Sequence, residues 1–331
     1  MSGYYSDHAQ QLKRDLAQEL PTEELRALHQ KRPLLHAAVA VANVGALVVA
    51  AGAIVLLDHW YYWLPFAVVA GFAVFDFTVL LHEVVHRAVL PENNDKTYRA
   101  LGLLYAIPSG ISASQFTRWH LDHHAGLGSY EDDPKRHYLS PKKNVRWLKL
   151  LYFTPALFPI YFRAAKQETS SYPPDLQKRI ARERLVTIAF QLGVLAAIGL
   201  IGGWFIAWKL YVIPILLVFP IAFALNRLGQ HYDIEPADPA KWSTLIRASW
   251  FWDYAFLFSN YHLEHHYFPG VPFYSLPRLQ KLLLPFYEKR GFVAHGYGEL
   301  FWHYIVLNRK PHTNWDAVGV TSTPVAAGAQ S

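Results

Sequence analysis

The chain contains no cysteine among its 331 residues. That absence excludes a disulfide framework, a thiolate zinc site and a cysteine-ligated iron–sulfur cluster. Charge is scarce, with 17% of residues Asp, Glu, Lys or Arg, and there is a single methionine. The opening stretch, "MSGYYSDHAQQLKRDLAQEL", lacks the apolar run of a secretory leader, so no cleavable signal is expected. What is abundant is apolar and aromatic surface, 52% and 15% of the chain, together with 17 histidines.

The apolar residues fall into long runs. "LLHAAVAVANVGALVVAAGAIVLL" (34–57) and "LPFAVVAGFAVFDFTVLL" (64–81) are separated by the aromatic turn "DHWYYW". "LVTIAFQLGVLAAIGLIGGWFIAW" (185–208) and "LYVIPILLVFPIAFAL" (210–225) form a second pair, the latter short for a span. A membrane crossing needs about 20 apolar residues. The expectation is an all-α integral membrane protein with four transmembrane helices in two hairpins. Residues 1–33 read as a cytosolic amphipathic segment, 34–310 as one membrane domain and 311–331 as a disordered tail. "LGLLYAIPSGIS" and "LLYFTPALFPIYF" are too short to span and read as interfacial or re-entrant.

The net charge of +6 is uneven. Sixteen Lys or Arg lie in 82–184, five before residue 34 and nine after 225, while the turns within the two pairs carry only Lys209. The positive-inside rule then puts both termini and the large loop in the cytoplasm.

"HEVVH" (82–86) has the form of a zinc metalloprotease motif, with Glu83 as general base. Two further clusters argue for a larger set. They are "HLDHH", with His120, His123 and His124, and "HLEHH", with His262, His265 and His266. His231 stands alone just past the last apolar run. Spacings of three and four bring side chains to one helical face. One zinc takes three or four ligands. Nine histidines suit two metals of higher coordination number, and imidazole suits iron, copper, nickel or zinc. Two such metals beside a membrane point to dioxygen chemistry on a lipid.

The three boxes, their order and the trailing "NYHLEHHYFPGVPFYSLPRL" resemble the membrane fatty acid desaturase superfamily over roughly residues 36–285. The resemblance implies four spans under a cytosolic helical cap carrying a di-iron centre above an acyl tunnel. It implies desaturation, or hydroxylation, of a long acyl chain with dioxygen and two electrons. It makes His82, His86, His120, His123, His124, His262, His265 and His266 iron ligands, with His231 as the additional histidine after the last span. Asn226 matches an asparagine that holds a metal-linked water. No H-P-G-G motif of a fused cytochrome b5 is present, so electrons are expected from a separate donor of ferredoxin or cytochrome b5 type. Acyl-lipid, acyl-CoA and acyl carrier protein remain open as substrate forms, and nucleic acid is not expected as a partner.

Around the boxes, Glu83, Asp122 and Glu264 are candidates to hydrogen-bond the far nitrogen of a ligand histidine. Asp76, two helical turns before Glu83, is a candidate support from within a span. His36, His137 and His295 read as interfacial or surface residues, "EDDP" (131–134) as a cap or turn, and "KRHYLSPKKNVRWLK" as a headgroup-facing basic stretch. Competing functions are a carotenoid or alkane hydroxylase or ketolase of the same histidine class, an intramembrane zinc protease and a bis-histidine haem protein.

Overall fold

A computed structural model describes residues 3–310, so the proposed tail at 311–331 lies outside the described residues. The described chain is helical; it holds no β-strand, only an isolated bridge between Ile246 and His295. Three short helices lead in: α1 (Tyr4–His8), α2 (Gln10–Glu19) and α3 (Thr22–Leu28). Four helices are long and apolar enough to cross a membrane: α4 (Pro33–Leu56), α5 (Trp60–Val85), α10 (Pro174–Gly202) and α11 (Trp204–His231). Between and after them run α6 (Asp95–Ala106), α7 (Ala113–Gly126), α8 (Arg146–Leu151), α9 (Leu157–Thr169), α12 (Trp250–Ala255), α13 (His262–Tyr267), α14 (Leu276–Leu282), α15 (Leu284–Lys289) and α16 (Tyr297–Phe301).

The outer faces of the long helices carry the membrane signature. On α4 only His36, Asn43, Ala50 and Ile54 are buried, while Leu34, Val41, Val48, Val49 and Leu56 point outward. A helix apolar all round but packed on one side only belongs in lipid. α5 is the buried one, packed against α4 and α11. At Gly71 a Cβ would come within 2.4 Å of Val218, so only glycine allows that approach of α5 to α11. Asn43 on α4 donates to the Ala73 carbonyl on α5 at 2.9 Å, which satisfies a polar group that lipid could not.

The second pair of spans differs from the sequence expectation. The break falls at Gly203, not at Lys209. Gly203 adopts φ +87°, a left-handed conformation open to glycine at little cost. Trp204–Trp208 therefore belongs to the fourth long apolar helix, which is 28 residues long rather than short. It widens to π-helical pitch over Trp208–Val218 around Pro214, where proline removes a backbone donor. Lys209 is buried, and its ammonium donates to the carbonyl of Leu57 at the end of α4. A cation on an orphan carbonyl is a common helix terminator.

The N-terminal helices pack into the body of the protein. Leu12, Leu16, Leu20 and Leu28 are buried in one cluster with Leu263, Leu276, Leu279 and Phe286. Asp15 pairs with Arg290, Glu24 with Arg278 and Glu19 with Lys289 across the same seam. Part of the basic stretch likewise turns inward. Lys149 donates to the carbonyls of Tyr304 and Arg309, and Arg146 to those of Ile305 and Val306. These cations close the open end of the π-turn Trp302–Val306 that follows α16; Lys149 is buried there, while Arg146 stays exposed.

Candidate metal centre

Each histidine cluster is held by helix geometry. His82 and His86 end α5, whose last turn carries the first box out of the apolar span. His120, His123 and His124 lie on α7, which starts with the Ser112 hydroxyl accepting from the Gln115 N–H at 3.1 Å. His262, His265 and His266 make up most of α13. His231 is the last residue of α11.

Folding brings all nine together and sorts them into two groups. His82, His86, His120, His124 and His265 form one; His123, His231, His262 and His266 form the other. Within each group the donor atoms lie within 4.8 Å of one another. Closest Nε2–Nε2 distances are 2.7 Å for His86–His120, 3.0 Å for His124–His265, 3.1 Å for His123–His231 and 3.0 Å for His262–His266. Metal–imidazole bonds of about 2.1 Å put neighbouring ligand nitrogens roughly 3.0–3.4 Å apart. The spacing thus fits two metal ions. Buried His82 Nε2 has no hydrogen-bond partner among the described residues, as a nitrogen reserved for a metal would.

An imidazole that gives Nε2 to a metal keeps its proton on Nδ1, and that proton needs an acceptor. His123 Nδ1 donates to Asp133 Oδ1 at 2.9 Å, and His231 Nδ1 to the Trp242 carbonyl at 2.9 Å. Asp133 Oδ1 also accepts from the backbone N–H groups of Lys135 and Arg136. The sequence reading gave "EDDP" no such part, and Asp133 is the residue it missed. Asp122, the expected candidate, instead pairs with Arg118 one turn away at 2.8 Å and faces outward. Lys135 Nζ lies 3.0 Å from His120 Nδ1, and burial pushes its ammonium down to about 7.

Glu83 is buried, accepts from the Phe273 N–H at 3.0 Å and faces His82 Nδ1 from 3.6 Å, too far for a strong hydrogen bond. Glu264 does not meet a histidine. It accepts from Gln280 at 2.9 Å and the Tyr287 hydroxyl at 2.8 Å, tying α13 to α14 and α15. Burial pushes its carboxyl up to about 7, against the pull of those two donors. Asn226 donates to Ser259 and accepts from Gln230, and it lines the same cavity as His262 and His265. Asp76 is buried in α5 and belongs to neither group. Of the isolated histidines, read as interfacial or surface, His36 is buried and paired with the Tyr105 hydroxyl at 3.0 Å. His295 bridges Asp233 and Glu299, each at 2.9 Å.

The approach to α13 is strained. Leu257 and Phe258 take φ of 41° and 61°, which costs side-chain-bearing residues about 1–2 kcal/mol each. Asp253 holds the turn: its carboxylate accepts from Asn260 and the Tyr261 hydroxyl, and its carbonyl from the Phe258 N–H. Against the histidines opens an apolar cavity. Its walls include Phe75, Val79, Phe116, Phe158 and Phe219, and His82, His120, His262 and His265 line it as well.

Residues 58–298 match the family model described as fatty acid desaturase. The chain belongs to that family. It is 25% identical over 242 residues to the human sphingolipid delta(4)-desaturase/C4-monooxygenase, covering 69% of this chain and 67% of that protein. It is 25% identical over 285 residues to the dihydrorhizobitoxine desaturase of Bradyrhizobium elkanii, covering 80% and 79%. To the sn-1 acyl-lipid omega-3 desaturase (ferredoxin) of Synechocystis sp. it is 23% identical over 260 residues, 69% of each chain. The chain is therefore a membrane oxidoreductase of lipid metabolism.

Proposed function

We propose that the chain is a di-iron oxidoreductase that desaturates, or hydroxylates, a long acyl chain with dioxygen and two electrons from a separate donor. One observation carries the reading: an apolar cavity ends on histidines drawn from all three boxes and from both histidine groups. Iron suits donor sets of imidazoles alone, and five and four ligands leave positions open for a small co-substrate on a six-coordinate ion. When bound, the irons supply the power to oxidise an unactivated methylene with dioxygen.

The protein's part is placement. Phenylalanines hold the tail dry and still, so that one methylene stays near the metal positions; such orientation is a large share of catalysis. His123 and His231 are fixed in one tautomer by Asp133 and the Trp242 carbonyl. Removing two neighbouring hydrogens gives an alkene; removing one and adding oxygen gives an alcohol. The same cage serves both outcomes, in keeping with a human relative named as both desaturase and monooxygenase.

The two pairs of spans are read as hairpins with the turns at Asp58 and Gly203 outside and the histidines on the cytoplasmic side. A relative named for ferredoxin makes that class the first donor to test. The zinc-protease reading has no support from the grouping, since His82 and His86 share their site with histidines of both distant boxes. The test is lipid profiling by mass spectrometry after expression in a host that lacks this protein. New alkene or hydroxyl products are expected with the wild type and none with His265→Ala. An unchanged profile with an iron-loaded wild type, tested with each donor class, would overturn the reading.

A further inference from the structure

Arg227 lies four residues before His231 on α11, one turn away on the same face. It lines the large cavity and two smaller ones, and histidines line the large one and one of the smaller. Its guanidinium makes no hydrogen bond or ion pair among the described residues; it lies 5.9 Å from the Phe223 ring centroid, and the Asp133 carboxylate acts on it from beyond ion-pair distance. Asp133, which lines the third cavity with it, already accepts on one oxygen from His123, Lys135 and Arg136.

A guanidinium stays charged at any physiological pH. Arg227 is half-buried, and the carboxylate that acts on it, Asp133, is engaged by those three donors, so the arginine fork has donors to offer a ligand. Two bound metal ions held by neutral imidazoles would add further positive charge to the same region. The planar fork of arginine matches the two oxygens of a carboxylate or phosphate ester. The rest of the cavity is an aromatic slot suited to a hydrocarbon tail.

We infer that the cavity receives a single-chain amphiphile whose anionic head, a carboxylate or a phosphate ester, is clamped by Arg227 beside the metal positions. This rests on the lipid-oxidising reading of the same cavity and adds the charge of the substrate's head to it. It makes Arg227 a specificity-determining residue whose partner is the substrate.

The experiment measures binding to the iron-loaded protein in nanodiscs, without turnover, using palmitate, hexadecyl phosphate and hexadecanol as probes. Wild type should bind at least one of the two anions about tenfold more tightly than the alcohol, and the two anionic probes decide between carboxylate and phosphate. Arg227→Gln should lose most of that preference with hexadecanol binding unchanged. Arg227→Lys, which keeps the charge without the fork, should keep part of it, and iron content should be equal in all three proteins. Inorganic phosphate should compete only at concentrations far above either lipid, because it lacks the tail. Equal binding of acid, phosphate and alcohol by wild type would overturn the anion clamp. So would a preference undiminished in Arg227→Gln. An anion preference in a protein that oxidises no lipid would instead sink the proposed function and leave the clamp standing.

Discussion

At the residue scale the division of histidines makes a sharper statement than their number. His86 belongs to the five-histidine group and His123 to the four-histidine group. Each alanine substitution should lower bound iron from about two to about one per chain and abolish oxidation, while His137→Ala should keep both irons. Metal analysis beside a thermal melt separates ligand loss from misfolding. Asp133→Ala removes the acceptor of the His123 Nδ1 proton. Loss of such an outer partner weakens metal affinity about 10–100-fold. Chelator titration should therefore strip iron from Asp133→Ala at lower concentration than from wild type, and from Asp122→Ala at the wild-type concentration. The boxes themselves were legible in the sequence because helical spacing converts i, i+3 and i+4 directly into one face. The pairing of histidines from different boxes was not, because it depends on how α5, α7, α11 and α13 cross. Asp133 was hidden for the same reason: it lies ten residues from His123, while Asp122 is its immediate neighbour in the chain.

At the element scale the turns carry the testable detail. Gly203→Ala places a side chain at φ +87° between α10 and α11, and should destabilise the protein by about 1–2 kcal/mol with iron content unchanged. Denaturation in mild detergent measures this; a neutral result would mean that the break lies elsewhere. His295 joins Asp233 and Glu299 beside the Ile246 bridge. The hydrogen bond to Asp233 holds its pKa above 6.5 despite burial, with Glu299 adding to the effect. A raised histidine contributes fully below its unfolded value and loses that contribution as pH climbs through the folded value. The two carboxylates are held low, first by their hydrogen bonds to His295, so their share appears above the ordinary carboxylate range and is lost in acid. The gap in melting temperature between wild type and His295→Gln should be widest near pH 6 and shrink toward pH 9. The four apolar runs could be read from sequence by length alone. The position of the second break could not, because Gly202–Gly203 sits inside a continuous apolar stretch and Lys209 looked like the natural interface residue. Its ammonium found the Leu57 carbonyl instead.

At the scale of the whole molecule, four apolar helices carry a layer of short helices in which the N-terminal segment and the third box share one core. Removing residues 1–32 should therefore expose Leu263, Leu276 and Phe286 and cost iron retention as well as stability, which gel filtration and metal analysis can follow. A reporter at the C-terminus should register as cytoplasmic, since the turns at 57–59 and 203 carry no Lys or Arg while the long loop carries many. The central claim is that nine imidazoles from four separate places in the chain hold two iron ions. Its most direct test is metal analysis with an absorption spectrum on protein purified after growth in iron-replete medium. Two irons per chain with no haem Soret band is the expected result. One zinc per chain, with reconstitution by iron giving no lipid oxidation, would contradict it.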